Sequence, residues 1–84
     1  MKFCMITFRS VTPAQRAENL LRRAGFECSV QRTPRWMEEQ GCGYSLRVRM
    51  QDAVRCAEHL QEAGISYRKI YLRKENGSIE ELSL

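Results

Sequence analysis

No apolar run in this chain is long enough to cross a membrane. The stretch from Phe3 to Phe8 stops at Arg9, far short of the roughly 20 residues a spanning helix needs, and too short for the apolar part of a signal peptide. Without an export signal the expected compartment is the cytoplasm, and no membrane contact is expected. No two of Cys4, Cys28, Cys42 and Cys56 lie within two to four residues of one another, and His59 is the lone histidine. That spacing excludes paired-ligand zinc patterns and the Cys-x-x-Cys motif of thioredoxin-type oxidoreductases. Neither a metal nor a cofactor is expected, and in a reducing compartment all four cysteines should be free thiols. Long charged or low-complexity runs are absent too, which argues against disorder. What is left is one folded domain, residues 1–84, because 84 residues cannot fill a second core. Its net charge of +4 permits an anionic partner without requiring one.

The patterning that is present alternates between strand and helix. Lys2 to Phe8 reads as a first strand, with Cys4, Ile6 and Phe8 on one face and Phe3, Met5 and Thr7 on the other. Thr12-Pro13-Ala14-Gln15 predicts a helix start, with Thr12 as N-cap and Pro13 in the first helical position. Ala14, Ala17, Leu20, Leu21 and Ala24 form its apolar stripe, Arg16, Arg22 and Arg23 stay wet, and Gly25 ends it. A second strand runs from Phe26 to Gln31, and Pro34 closes it. Tyr44 to Met50 alternates as a third strand, with Tyr44, Leu46, Val48 and Met50 on the inner side. Asp52 then caps a second helix whose inward residues are Ala53, Val54, Cys56, Ala57, Leu60 and Ala63, with Gly64 as the stop and His59 at the border. A fourth strand lies within Ile65 to Lys74, and Asn76-Gly77 predicts a turn. After it, residues 78–84 form either a short edge strand or a frayed tail.

Ala14, Leu21, Ala24, Gly25 and Phe26 return thirty-nine residues later as Ala53, Leu60, Ala63, Gly64 and Ile65. This echo suits two β-α-β units in tandem. The expected fold is α+β, the ferredoxin-like βαββαβ arrangement, with a four-stranded antiparallel sheet carrying both helices on one face. Right-handed crossovers put the first and third strands at its centre.

One stretch fits no regular element. Thr33 to Ser45 is an irregular connection in which Cys42 stands between Gly41 and Gly43. Glycines on both sides let another molecule approach the sulfur closely. A thiol works as a nucleophile through its thiolate, which needs exposure and nearby positive charge. Arg35 in the connection and Arg47 on the third strand are the candidates to stabilise it, while Glu38 and Glu39 would oppose it. One thiol suffices to hold a persulfide, since each exchange step uses a single attacking sulfur. The plainer reading is a cysteine that happens to lie in a glycine-containing turn.

The helix-free sheet face offers an alternative. It is expected to show Phe3, Met5, Arg47, Arg49, Lys69 and Tyr71, which suits a homodimer contact or stacking with RNA. The third strand, Tyr44 to Arg49, lacks the outward aromatics of an RNA recognition motif, so RNA is the weaker of the two.

Several of these features together resemble the selenium/sulfur carrier-like family of small bacterial proteins. They are Ile6-Thr7-Phe8, Ala17-Glu18-Asn19-Leu20-Leu21 closing at Ala24-Gly25, then Pro34-Arg35 and Cys42-Gly43. The likeness runs from about Lys2 to Tyr71. Between Pro34-Arg35 and Cys42-Gly43 the chain departs from the family pattern, being more acidic and one residue longer. The resemblance implies a carrier rather than a turnover enzyme, with sulfur or selenium held on Cys42 and with donor and acceptor proteins as partners.

Overall fold

The computed structural model describes residues 3–33, 43–73 and 79–82, with the backbone alone for Arg73 and Ile79. Its elements are β1 (Phe3–Phe8), α1 (Val11–Arg23), β2 (Cys28–Arg32), β3 (Tyr44–Arg49), α2 (Ala53–Glu62), β4 (Ile70–Arg73) and β5 (Ile79–Leu82). The sheet is antiparallel and has five strands, not four, in the order β2-β3-β1-β4-β5. β1 and β3 are neighbours at its centre, as expected from the crossovers, and the order is compatible with a ferredoxin-like layout. The extra strand is the C-terminal one, which pairs with β4 from Ile70↔Leu82 to Arg73↔Ile79. Of the two readings of residues 78–84, the edge strand is therefore the correct one for Ile79–Leu82.

Register confirms the predicted alternation. Cys4 pairs Val48 and Ile6 pairs Leu46 on one side of β1, while Cys4 pairs Leu72 and Ile6 pairs Ile70 on the other. These residues join Phe8, Ala14, Ala17, Leu21, Ala53, Cys56, Ala57 and Leu60 in a single core. Each fully buried large side chain contributes about 1.5–3 kcal/mol relative to an exposed one. The helix stripes agree with this core except at three positions. Ala24, Val54 and Ala63 were expected to face inward and are exposed. Ala24 and Ala63 are the C-cap residues of α1 and α2, past the last helical residue of each.

The helix starts also differ from expectation. α1 begins at Val11 after Ser10, whose extended backbone (φ −147°, ψ 172°) makes it the N-cap in place of Thr12. Pro13 is thus third in the helix, still among the first-turn positions whose N–H has no intrahelical acceptor. Met50 leaves the third strand and opens a 3-10 turn, Met50–Asp52, that leads into α2, so its side chain is exposed rather than inward. Asp52 is the cap residue of α2, but without a side-chain hydrogen bond.

Both helices end identically, which is the physical content of the sequence echo. The Gly25 N–H donates to the Arg22 carbonyl and the Phe26 N–H to the Leu21 carbonyl; in α2, Gly64 donates to Gln61 and Ile65 to Leu60. The glycines take φ of 92° and 71°, the left-handed conformation that closes such a double-bonded cap. α1 also covers the free edge of β2. The Val30 N–H donates to Glu18 Oε2 at 2.8 Å, and Arg22 Nε and Nη2 donate to the Cys28 carbonyl at 3.1 and 3.0 Å. Occupied edge groups leave no template for another strand.

Candidate functional site

Pro34, Arg35, Gly41 and Cys42 lie outside the described residues, as do Trp36 to Gln40 and the Asn76-Gly77 turn. Both ends of the connection that carries Cys42 are described. The Thr33 N–H donates to the Gly43 carbonyl at 3.0 Å, so the connection starts and finishes at one corner of the sheet. A Cβ built on Gly43 would meet the Phe8 carbonyl oxygen and Thr33 Oγ1, each at 3.4 Å. Gly43 does not belong to the positive-φ glycines. Its backbone is open to other residues, so what distinguishes it is the missing side chain beside Phe8 and Thr33.

Hydroxyl groups line this corner on the helix-free face. Thr7 pairs Ser45 across β1 and β3, and Ser45 pairs Gln31 across β3 and β2. Thr7, Thr33 and Ser45 are all buried, at 8%, 5% and 0% exposure. Thr7 Oγ1 is satisfied, since it donates to the Lys69 carbonyl at 3.2 Å and accepts from the Lys69 N–H at 3.0 Å. Among the described residues Thr33 Oγ1 and Ser45 Oγ have no hydrogen-bond partner. A buried hydroxyl left unpaired costs about 1–3 kcal/mol, so an acceptor at this corner would be stabilised by them.

The other three cysteines are inside. Cys4 and Cys56 have no exposure and Cys28 has 6%. Burial pushes the thiol pKa of each upward. In Cys28 the nearby Arg22 cation works against burial while Glu18 adds to it. For Cys56 burial dominates, Asp52 adds to it, and the pKa reaches about 12. None of the three is a competent thiolate near neutral pH. His59 is likewise structural, its ring meeting Phe26 edge to face at 5.3 Å.

Arg47 stands apart from the Gly43 corner. Its guanidinium lies 3.7 Å over the Phe3 ring, and its backbone is four strand rises, about 13 Å at ~3.3 Å each, from that of Gly43. The other basic residues of the helix-free face are also engaged. Arg49 pairs with Glu27, and Lys69 Nζ is 3.2 Å from Glu81. Met5, expected to be open, is 6% exposed and accepts a contact from Gln31 Nε2 at 3.0 Å. Phe3, Met5, Arg47, Arg49 and Lys69 thus each have a partner within the protein.

A second concave region starts at Phe8's successor. A groove of about 710 Å³ is lined by Arg9, Ser10, Pro13, Arg16 and residues 64–69. The segment after α2 forms its far wall, tied to β1 by Thr7 N–H to the Lys69 carbonyl at 2.8 Å and by Arg68 N–H to the Thr7 carbonyl at 2.7 Å. Sequence reasoning treated Arg16 only as a solvated residue and missed Arg9 and Arg68. The available signal was the run Arg68-Lys69 in an irregular stretch facing Arg9 across the chain. Among the described residues no group of three or more His, Cys, Asp or Glu side chains is arranged to hold a metal, and no helix is long and apolar enough to cross a membrane.

Comparison with curated proteins and with solved structures gave no match. A family model does match, over residues 3–72, and takes in β1 through most of β4 together with the whole Cys42 connection. The chain therefore belongs to the family described as "Putative Se/S carrier protein-like".

Proposed function

We propose that this protein carries sulfur or selenium as a persulfide or perselenide on Cys42. The observation that carries the reading is the state of the other thiols: Cys4, Cys28 and Cys56 are all buried with raised pKa values, which leaves Cys42 to do any thiol chemistry in a family named for that cargo. In the transfer, the Cys42 thiolate attacks the outer sulfur of a donor persulfide. A new S–S bond forms on Cys42, the donor's S–S bond breaks, and the donor leaves as a thiolate. No outside oxidant is consumed, and passing the cargo to an acceptor reverses the same step.

Cys42 is bonded to Gly43, and Gly43 sits against Thr33. The unpaired hydroxyls of Thr33 and Ser45 supply donors for the anion at that corner. Gly41 and Gly43 give access, and Arg35, beside Pro34, favours the thiolate from within the connection. Arg47, whose guanidinium lies over the Phe3 ring, is the second cation that favours the thiolate. Incubation with a cysteine desulfurase and cysteine, followed by intact mass measurement, tests the reading. A gain of one sulfur atom, lost in Cys42→Ser and slowed in Thr33→Val, is expected. Uptake that persists in Cys42→Ser would overturn it.

A further inference from the structure

We propose that the groove between the start of α1 and the segment after α2 binds a small molecule bearing a diphosphate, independently of Cys42. Arg9, Arg16 and Arg68 line it, and among the described residues none of the three enters an ion pair or a side-chain hydrogen bond. Their side chains are exposed. Three guanidinium groups gathered without a carboxylate on the lining repel one another. A soluble protein ordinarily intersperses such charges with acids, as this one does at Glu18–Arg22 and Lys69–Glu81. An anion relieves that repulsion, and guanidinium matches phosphate oxygens with paired N–H donors.

Other features of the groove favour the same ligand. Ser10 and Ser66 add hydroxyls to the lining. The Ser10 hydroxyl makes no cap bond, and the first turn of α1 contains no acidic residue, so the positive end of the helix adds to the field of the arginines. Pro13 and the half-buried Tyr67 ring supply an apolar wall, with the Tyr67 hydroxyl accepting from Gln61 Nε2 at 3.2 Å. The volume falls within the range of roughly 300–1,000 Å³ typical of small-molecule sites. A single phosphate group brings at most about two negative charges, fewer than the three free guanidiniums of the groove. A diphosphate matches them.

The test is isothermal titration of the full chain with pyrophosphate at low ionic strength. Saturable one-to-one binding is expected, weakening as salt is raised. The double variant Arg16→Ala with Arg68→Ala should lose about tenfold or more in affinity, equivalent to about 1.4 kcal/mol, while its circular dichroism stays that of the parent. Arg47→Ala with Arg49→Ala and, separately, Cys42→Ser should bind as the parent does. The last variant separates this site from the carrier reading, since either can fail alone. Absence of saturable binding overturns the proposal, as does an affinity indifferent to Arg16 and Arg68. A single-stranded RNA oligonucleotide that binds and is not displaced by pyrophosphate would also overturn it, by assigning the charge to a polymer.

Discussion

Two sets of basic residues in this protein have the same chemistry and opposite circumstances. On the helix-free sheet face Arg47 stacks on Phe3, Arg49 pairs with Glu27, and Lys69 reaches Glu81. In the groove Arg9, Arg16 and Arg68 are unengaged among the described residues. The first set lies in or beside the strands: Arg47 and Phe3 sit on the paired β3 and β1, while Glu27 and Lys69 flank the starts of β2 and β4, where neighbouring strands bring a partner to each cation. The groove is made instead from the β1-α1 turn and the irregular segment after α2, where no such ladder operates. A basic face is therefore informative only once its partners are counted.

The severest way to break the comparison is to remove what both regions stand on. Phe8 ends β1 between the Gly43 corner and the groove and is 1% exposed. Phe8→Ala should cost about 3–5 kcal/mol in chemical denaturation, and should weaken pyrophosphate binding and Cys42 loading together. If loading and binding survive that loss, the two regions do not share their floor.

Alkaline pH attacks the same core more gradually. Cys56 has a folded pKa raised from 9.0 to about 12, so the fold favours its neutral form. The resulting stability is complete below about pH 9 and is lost as pH rises from there toward 12. Cys4 and Cys28 act in the same direction. Denaturation midpoints measured from pH 7.5 upward (~7.5–10.5, within the window set by these thiols) should fall, and Cys56→Ala should flatten the decline.

A sharper probe of the groove alone is Gly64→Ala. Space for the new Cβ is open, but φ of 71° costs an L-residue about 1–2 kcal/mol. Reduced stability with parent-like loading of Cys42 would separate the groove wall from the carrier corner. On the sheet face, Arg47→Leu should cost about 0.5–1 kcal/mol through the lost stacking on Phe3, with pyrophosphate affinity unchanged. Smallest of all, Glu81→Gln releases Lys69 from an exposed pair whose energy is about 0.2–1 kcal/mol. Pyrophosphate affinity should then rise by no more than about fivefold. An unchanged affinity would show that the charge of Lys69, although on the lining, does not reach the ligand.

Strand and helix order, the inner residues Cys4, Ile6, Phe8, Leu46 and Val48 of the two central strands, and the two glycine-closed helix ends were legible because they depend on local periodicity and on single residues with special backbone freedom. The helix starts were less legible. Thr12-Pro13 carries a strong start signal, yet Ser10 is the cap, since the first-turn amides tolerate proline at several positions. Met50 continues the alternation of β3 on paper, but the chain turns there into the 3-10 segment. The corner beside Gly43 was only half visible. Its cysteine announces itself between glycines, while the unpaired Thr33 and Ser45 hydroxyls emerge only when β1, β2 and β3 are set in register.

By itself the sequence determined the α+β class, the central pair of strands, the burial of Cys4, Cys28 and Cys56, and the family, because each follows from patterns carried within a few dozen consecutive residues. Tertiary structure alone decided that the C-terminal segment adds a fifth strand, that the sheet's cations are partnered, and that Arg9, Arg16 and Arg68 converge on one groove. Arg68 is separated from Arg9 and Arg16 by most of the chain. Only the hydrogen bonds of Thr7 with Arg68 and Lys69, which fasten the segment after α2 to the end of β1, bring their charges together.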